Sequence, residues 1–550
     1  MNNTKKIASV IILFLGALLY SSCETIDMDM KEDPNALSVD KADVDFYLNG
    51  VQRSFALNMQ AYGRTSMEVT RMTNMFGRSY ENAYSPATLD SKWAVSYQTV
   101  LKNIQLMNVK ASEKGLKRHI GMGQVLEAYT IVNLVDFFGD VPYTEALLGA
   151  TNLNAKADTG ASIYNAALVL LDKAIVNFSE TSPTTTTFND FYYNKDWTKW
   201  IKLANSIKMK IYIQRRLVDP SAIASFNTIV ATGNFMQTAS DDFQFDWNSN
   251  VNNPDGRSPL YRDNYLTTGT SEYQSNWFMD LMLSDKSIAD PRMKFYFYRQ
   301  LNGQSPIDPT TLKCSIEPAP AHYVAGGYTY CTVANGYWGR DHGDNFGIPP
   351  DADKKTAYGV YPAGGRFDDN TFKTVNNLSG AKGDGVTPIL LSSTMDFYRA
   401  EAALYGGTGS AKAFILSGVQ KSFTKVRAFI SRDAGAIVST VPATTRDVTY
   451  MNEVGNKFDA ATLTGQREIL AKELFISVFG NGTDAYNFYR RTGFPQRIQP
   501  NLEPNPGQFI RSFLYPANES SSNSNMKQKT SVSARVFWDN NATTGFPIGN

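Results

Sequence analysis

Helical periodicity in two separate blocks is the feature that most limits the folds open to this 550-residue chain. Apolar residues recur every three to four positions over roughly 40–235 and again over 390–480, which is the spacing of amphipathic helices. A long stretch between the blocks, about 240–390, lacks this periodicity. One helical pair cannot bury its own apolar face, so several pairs must stack. The pattern therefore predicts a mostly α fold with a long loop-rich, minor-β region inserted.

Glycine and proline mark where individual helices end. The segment Gly123–Phe138 is periodic, and Gly139 with Pro142 just beyond predicts its C-terminus. Later, Thr394–Tyr405 and Ser410–Ile430 flank a run of glycines, which predicts a helix, a glycine turn and a second helix. Such hairpins resemble tetratricopeptide-like stacking, although no strict 34-residue repeat is visible.

The composition changes between residues 320 and 372, where ten aromatic residues and nine glycines fall within 53 positions. Glycine lets the backbone fold back, while tyrosine and tryptophan offer flat faces that stack on sugar rings or apolar side chains. One interpretation is a ligand-binding surface, and the other is a loop-rich subdomain that uses these aromatics as a miniature core. The candidate ligand-binding residues are Trp338, Tyr337, Tyr358 and Tyr361, followed by Trp247 and Trp277 as second choices.

The N-terminus has the pattern of an export signal that ends in a lipidation cysteine. Lys5 and Lys6 precede an apolar run from Ile7 to Leu19, which would span about 20 Å as a helix, short of the ~30 Å hydrocarbon core. Cys23 follows two serines and offers a thiol for lipid attachment. Tyr20 stands where a lipobox normally has an aliphatic residue, so an ordinary secreted protein is the alternative. The predicted divisions are a signal peptide at 1–22, a lipidated linker at 23–39 and a single domain at 40–550.

Charge and cysteine content exclude some classes of partner and suggest one cross-link. Cleavage before residue 23 removes two of the 53 bases and no acid, so 51 bases face 52 acids and the mature chain has a net charge of −1. A polybasic surface for nucleic acid is therefore not expected. If Cys23 carries lipid, Cys314 and Cys331 remain in an oxidising compartment, where they either form a disulfide or stay as two buried thiols.

Catalytic and metal-binding signatures are missing from the sequence. There are three histidines, with no His-Glu-x-x-His zinc pattern, no Gly-x-Ser-x-Gly elbow and no phosphate-binding loop. Asp341, His342 and Asp344 are close enough in sequence to hold a metal or share acid–base work, but residues in a glycine-rich turn more often cap the local backbone. We predict no enzyme activity, no metal and no cofactor, although two of the 52 acids could converge as in a glycoside hydrolase.

Several segments in order resemble the SusD/RagB family of nutrient-binding lipoproteins. The most specific is Leu134-Val-Asp-Phe-Phe-Gly-Asp-Val-Pro-Tyr-Thr-Glu-Ala146, near a helix end. Four others agree with it: Lys31–Asn35, Phe397–Leu404, Ala485–Pro495 and Arg511–Glu519. Gly339–Asn345 and Tyr361–Arg366 further resemble the SusD-like 2 branch.

The resemblance implies a surface lipoprotein of the outer membrane that captures an oligosaccharide, or in some members a peptide. It would lie as a lid on a SusC-type TonB-dependent transporter and deliver the ligand without catalysis. The motif residues themselves are interpreted as structural, and we expect Arg490 and Arg491 to pair with buried carboxylates such as Glu401 or Glu473, unless they are solvated. Two other classes stay open: a helical-repeat adaptor that binds only proteins, and a surface glycoside hydrolase.

Overall fold

The computed structural model describes residues 43–183, 185, 188–303, 312–346 and 350–541. The signal peptide, Cys23 and the linker lie outside the described residues, so those predictions stay predictions. In chain order the α-helices are α1 Val44–Val69, α2 Tyr80–Ala83, α3 Asp90–Ala94, α4 Lys102–Glu113, α5 Lys117–Phe138, α6 Gly160–Ser179, α7 Trp197–Arg215, α8 Ala222–Thr232, α9 Pro259–Asn264, α10 Asn276–Ser284, α11 Met293–Tyr296, α12 Ala321–Gly326, α13 Ser392–Leu404, α14 Ala411–Ala428, α15 Thr444–Ala460, α16 Leu463–Ser477, α17 Gly482–Thr492 and α18 Ala517–Ser522. A π-helical segment, Val95–Leu101, joins α3 to α4.

Six short strands form three two-stranded antiparallel sheets in the described part of the chain. They are β1 Val141–Pro142, β2 Ala157–Asp158, β3 Phe243–Asp246, β4 Phe297–Tyr298, β5 Ala357–Tyr358 and β6 Val386–Leu390. The pairs are β1 with β2, β3 with β6, and β4 with β5. The predicted fold class, mostly α with stacked helical hairpins and an inserted loop-rich, minor-β region, is confirmed.

Neighbouring helices pack as hairpins, and the two helical blocks meet. Helices α4 to α8 pack in sequence, each on the next, and α13 to α16 form a second stack. The blocks join where α17 packs on α1 and α13 contacts α7. One large hydrophobic cluster runs through both blocks, so the scaffold shares a single core. By length and composition α6 is apolar enough to cross a membrane, but its Ile163, Leu171 and Phe178 face is buried against α5 and α7.

The family-like motif at residues 134–146 has a structural role. Helix α5 ends at Gly139, as predicted, where the backbone turns to φ +80° and the amide donates to the Val135 carbonyl at 2.8 Å. The Asp136 carboxylate is buried and accepts hydrogen bonds from Tyr164 Oη, Asn487 Nδ2 at 2.7 Å and Trp538 Nε1 at 3.0 Å. These donors come from positions far apart in the chain. Asp136 therefore links α5 to α6, to α17 and to the C-terminal segment.

The two neighbouring arginines in α17 have different partners. Arg491 donates to both oxygens of the buried Glu401 carboxylate, at 2.8 and 2.6 Å, which confirms that predicted pair. Arg490 donates instead to the Arg511 carbonyl at 2.6 Å. Glu473 is bound by Arg292 at 2.9 Å. The pairing predicted for Arg490 is therefore wrong, because its guanidinium contacts the Arg511 carbonyl, the Asn487 side-chain oxygen and two aromatic faces instead.

Candidate ligand-binding site

The six aromatic residues predicted to bind ligand are all buried, and none is more than 7% exposed. They are Trp338, Tyr337, Tyr358, Tyr361, Trp247 and Trp277. The prediction that they present a binding surface is wrong. The irregular stretch uses its aromatics as core, which is the other interpretation of the same composition.

Contacts with distant parts of the chain hold these rings inside. Trp247 Nε1 donates to Thr387 Oγ1 at 2.9 Å, and Trp277 Nε1 donates to the Arg497 carbonyl at 3.1 Å. The Tyr361 ring meets Phe429 edge to face, with the ring centroids 5.0 Å apart. Each of these rings thus packs against a segment that lies tens to hundreds of residues away in sequence. Glycines permit this close folding: at Gly359 a Cβ would lie 2.1 Å from the Phe295 carbonyl oxygen.

Exposed aromatic rings occur instead around a pocket of about 310 Å³. Phe346 lines the pocket and is 51% exposed, and Tyr330 lines it from a half-buried position. Phe76, 47% exposed, lies beside it, with its ring centroid 6.0 Å from the Arg340 guanidinium carbon. Ligand sites combine such apolar faces with a few convergent polar groups. We call this the Phe346 pocket.

Arg340 forms a rigid floor for the pocket. Its guanidinium lies 4.3 Å from the Tyr273 ring centroid, and it donates to the Phe346 carbonyl at 3.1 Å and to Tyr273 Oη at 3.3 Å. It also lies 3.7 Å from an oxygen of Asp344. The Arg340 backbone is fixed as well, because its amide donates to the Gln274 carbonyl at 3.0 Å. This network holds the backbone of Phe346 in place.

Polar side chains surround the exposed rings. Arg78 is exposed and its Nε donates to Asn345 Oδ1 at 3.2 Å. Lys313 Nζ lies 4.2 Å from the Phe346 ring centroid and 2.9 Å from Glu317. Cations and amides near an open aromatic face can hydrogen-bond the hydroxyl groups of a sugar while its ring stacks on the aromatic. The arrangement suits a hydroxyl-rich ligand.

A disulfide and a buried carboxyl secure one wall of the pocket. Cys314, which lines the pocket, is bonded to Cys331. The Cys331 amide donates to Asp341 at 2.6 Å, and that carboxylate also accepts from Asn276 Nδ2 at 3.2 Å and Gln499 Nε2 at 3.0 Å. Burial raises the pKa of Asp341 to about 6. The disulfide therefore ties the 312–317 segment to a cross-braced turn.

Asp341, His342 and Asp344 do not form a catalytic or metal-binding group. The buried carboxylate of Asp341 receives the three donors just described, and Asp344 accepts from the Phe346 amide at 2.9 Å. The His342 imidazole is buried, its ring centroid is 5.9 Å from that of Tyr80, and burial with the charge of Arg71 holds its pKa well below the ordinary value. Among the residues that the structure describes, no group of three His, Cys, Asp or Glu side chains could hold a metal ion.

Sequence reasoning missed Phe76, Phe346, Arg78 and Arg340. Three of these residues lie at or near the 339–345 segment, which resembles a family motif. This segment contains Arg340 and immediately precedes Phe346, and its Asn345 accepts a hydrogen bond from Arg78. The aromatic density drew attention to the rings flanked by glycine instead. Nothing in the local sequence around Phe76 indicates that it meets residues about 270 positions later.

Two family models match the chain one after the other. A SusD-like 2 model, described as "Starch-binding associating with outer membrane", matches residues 34–307. A SusD-like model, described as "Susd and RagB outer membrane lipoprotein", matches residues 349–544. No curated protein matches the sequence.

Solved structures share the fold over nearly the whole chain. A SusD/RagB family protein from Bacteroides thetaiotaomicron is 20% identical with a TM-score of 0.65, covering 91% of this chain and 100% of its own. A chitin-binding SusD homologue from Flavobacterium johnsoniae is 18% identical with a TM-score of 0.61, covering 90% and 99%. A further structure, named a chitin-binding protein, is 18% identical with a TM-score of 0.63, covering 91% and 100%. With the two family models and this common fold, the chain belongs to the SusD/RagB family.

Proposed function

We propose that the protein is a cell-surface lipoprotein that captures a nutrient oligosaccharide in the Phe346 pocket and delivers it to a SusC-type TonB-dependent transporter. The observation that carries the proposal is the pair of exposed rings, Phe76 and Phe346, set around the fixed guanidinium of Arg340. The family descriptions supply further support, since they name starch binding, the outer membrane and a lipoprotein. Two structural relatives bear the name chitin-binding.

The pocket chemistry favours a glycan over a peptide and binding over catalysis. Its polar groups are hydroxyl-compatible donors and acceptors beside open rings, rather than a sheet edge that would add an extended peptide strand. Three carboxylates line it: Glu317 is engaged with Lys313 and Asp344 with the Phe346 amide, which leaves only Glu503. A hydrolase needs a free acid and a free base or nucleophile on opposite sides of the bond. We therefore assign the protein a binding role without bond cleavage.

Replacement of the exposed rings tests this assignment. The Phe346→Ala and Phe76→Ala variants should each bind the preferred oligosaccharide about tenfold more weakly, equivalent to about 1.4 kcal/mol, because a stacking face is lost. Phe191→Ala is the matched control, since Phe191 is 41% exposed and packs on Phe245, away from the pocket. Calorimetry with starch-derived and chitin-derived oligosaccharides, and with peptides of similar length, gives the affinities.

Each other outcome has a definite meaning. If Phe346→Ala and Phe76→Ala both bind like Phe191→Ala, the ligand lies elsewhere and the site assignment fails. If only peptides bind, the pocket serves a peptide. Release of shorter sugars during the incubation would show a hydrolase, and capture of proteins without any glycan or peptide binding would favour the adaptor.

A further inference from the structure

A second cavity, of about 470 Å³, lies apart from the Phe346 pocket and shares no lining residue with it. Its walls come from the end of α10, from α11, from the turn at 335–337 and from the start of α15. Apolar side chains on these walls include Leu283, Met293 and Pro442. The volume is within the range of small-molecule sites.

Three cationic side chains line this cavity: Lys294, Arg299 and Arg446. Arg299 is paired, because its Nε donates to Asp368 at 2.7 Å. The described contacts of Lys294 include a hydrogen bond from Nζ to the Thr440 carbonyl at 3.3 Å but no carboxylate. The exposed Arg446 guanidinium has no hydrogen bond or ion pair with the described part of the chain. Two cations thus face the cavity without an anionic partner among the described residues.

The carboxylate that lines the cavity does not neutralise them. Asp290 is buried and held by Arg292, with two of the contacts at 2.6 and 3.0 Å. Burial lowers the pKa of Lys294, and the charges of Arg299 and Arg446 act in the same direction, against the opposing effect of Asp368 and Asp369. An anionic group in the cavity would offset this repulsion and supply the missing partner.

We propose that this cavity binds a carboxylate or sulfate group carried on a sugar, with Lys294 and Arg446 as its partners and the apolar wall against the sugar ring. This inference rests on the proposed glycan capture and deepens it: the captured glycan is acidic. A carboxylate and a sulfate offer the same anionic oxygens to these cations, so the structure defines their shared chemistry.

Binding of matched sugars to the chain from residue 24 onward, prepared without lipid, tests the proposal. Glucuronate, glucose 6-sulfate and glucose share one ring and differ in the charged group. We expect at least one of the two acidic sugars to bind at least about tenfold more tightly than glucose, and the tighter of them identifies the group. Titration calorimetry or ligand-observed NMR gives the three dissociation constants.

Variants of the two unpaired cations locate the effect. Arg446→Gln removes a charge from an exposed, unpartnered side chain and should weaken acidic-sugar binding about tenfold without affecting folding. Lys294→Gln should act similarly and is checked for its thermal midpoint, because Lys294 is half-buried. Lys527→Gln, a change of the same charge at another exposed side chain, is the matched control and should bind like the wild type.

The inference is overturned if glucose binds as tightly as both acidic sugars, or if Arg446→Gln binds them like Lys527→Gln. Neither result touches the proposed capture function, which is tested separately by neutral oligosaccharides and the Phe346→Ala variant. If neutral oligosaccharides bind and the protein shows no preference for acidic sugars, the proposed capture function is supported and the proposed acidic ligand is wrong. If no glycan of any kind binds, both proposals fail together.

Discussion

Asp341 is the single residue whose environment most clearly links the pocket to solution conditions. Its carboxyl is 3% exposed and accepts hydrogen bonds from the Cys331 amide, Asn276 and Gln499. These donors favour the ionised form, but burial outweighs them and raises the pKa to about 6 from an ordinary value of 3.8. Between about pH 3.8 and pH 6 the Asp341 carboxyl of the folded protein therefore keeps a proton that the unfolded chain has already lost.

The resulting prediction concerns stability between about pH 4 and pH 7. Because the folded state binds the Asp341 proton more tightly, this group's contribution to the free energy of unfolding falls as pH rises from about 3.8 to about 6, by up to about 3 kcal/mol, and is constant above. Asp341→Asn removes the titration while keeping one acceptor oxygen. Urea unfolding at a series of pH values should show the wild type losing stability relative to this variant across that window. If the difference in unfolding free energy between the wild type and Asp341→Asn did not change with pH, the raised pKa of Asp341 would be contradicted.

At the scale of elements, two glycines, one at a helix end and one inside a helix, should respond oppositely to replacement by alanine. Gly139 ends α5 at φ +80° and ψ −125°, a region that L-residues rarely adopt, although a Cβ there would only touch Val536 at 4.0 Å. Gly139→Ala should therefore cost about 1–2 kcal/mol of unfolding free energy through backbone strain alone. Gly50 lies inside α1, where an added Cβ would meet nothing within 4 Å, so Gly50→Ala should stabilise by about 0.5–1 kcal/mol.

Chemical denaturation of both variants checks this pair of expectations. The expectations are supported if both variants unfold with the same denaturant slope as the wild type and their unfolding midpoints shift in opposite directions. Destabilisation by both substitutions would mean that packing around α1, rather than backbone conformation, decides the outcome. Stabilisation by both would show that Gly139 does not need its positive φ.

Elements of the scaffold were predictable because their signals are local. Periodicity located α5 and the α13–α14 hairpin, and Gly139 marked a helix end. The ring positions were not predictable, since a loop aromatic becomes core or surface according to which distant segment packs on it. Trp277 is covered through Arg497, 220 positions away, whereas Phe346 meets no comparable cover in the described chain and stays 51% exposed. Composition alone does not distinguish Trp277 from Phe346 as a candidate ligand-binding residue.

At the scale of the whole molecule, the two helical blocks are closed by contacts between the chain's distant parts. Helix α17 packs on α1, and the C-terminal Trp538 reaches the Asp136 carboxylate in α5. The order of the motifs along the sequence revealed the family resemblance, and the resemblance predicted this architecture. The motif residues themselves make these long-range contacts. The region between the blocks supplies most of the residues that line both cavities, as expected where a rigid scaffold positions variable contacts. The family assignment and the ligand chemistry thus depend on different residues.

Attachment to the membrane should be separable from ligand capture. The proposed binding site is built from residues between Phe76 and Glu503, so Cys23→Ser should leave the affinity of the purified protein for oligosaccharide unchanged. In cells, the variant should no longer incorporate labelled palmitate and should leave the membrane fraction, because one thiol carries the proposed anchor. Lipid labelling and fractionation, with Cys314→Ser as the cysteine control, measure this. A Cys23→Ser protein that stays labelled and membrane-bound would contradict the anchor, and an unlabelled wild type would mean that the protein is secreted without lipid.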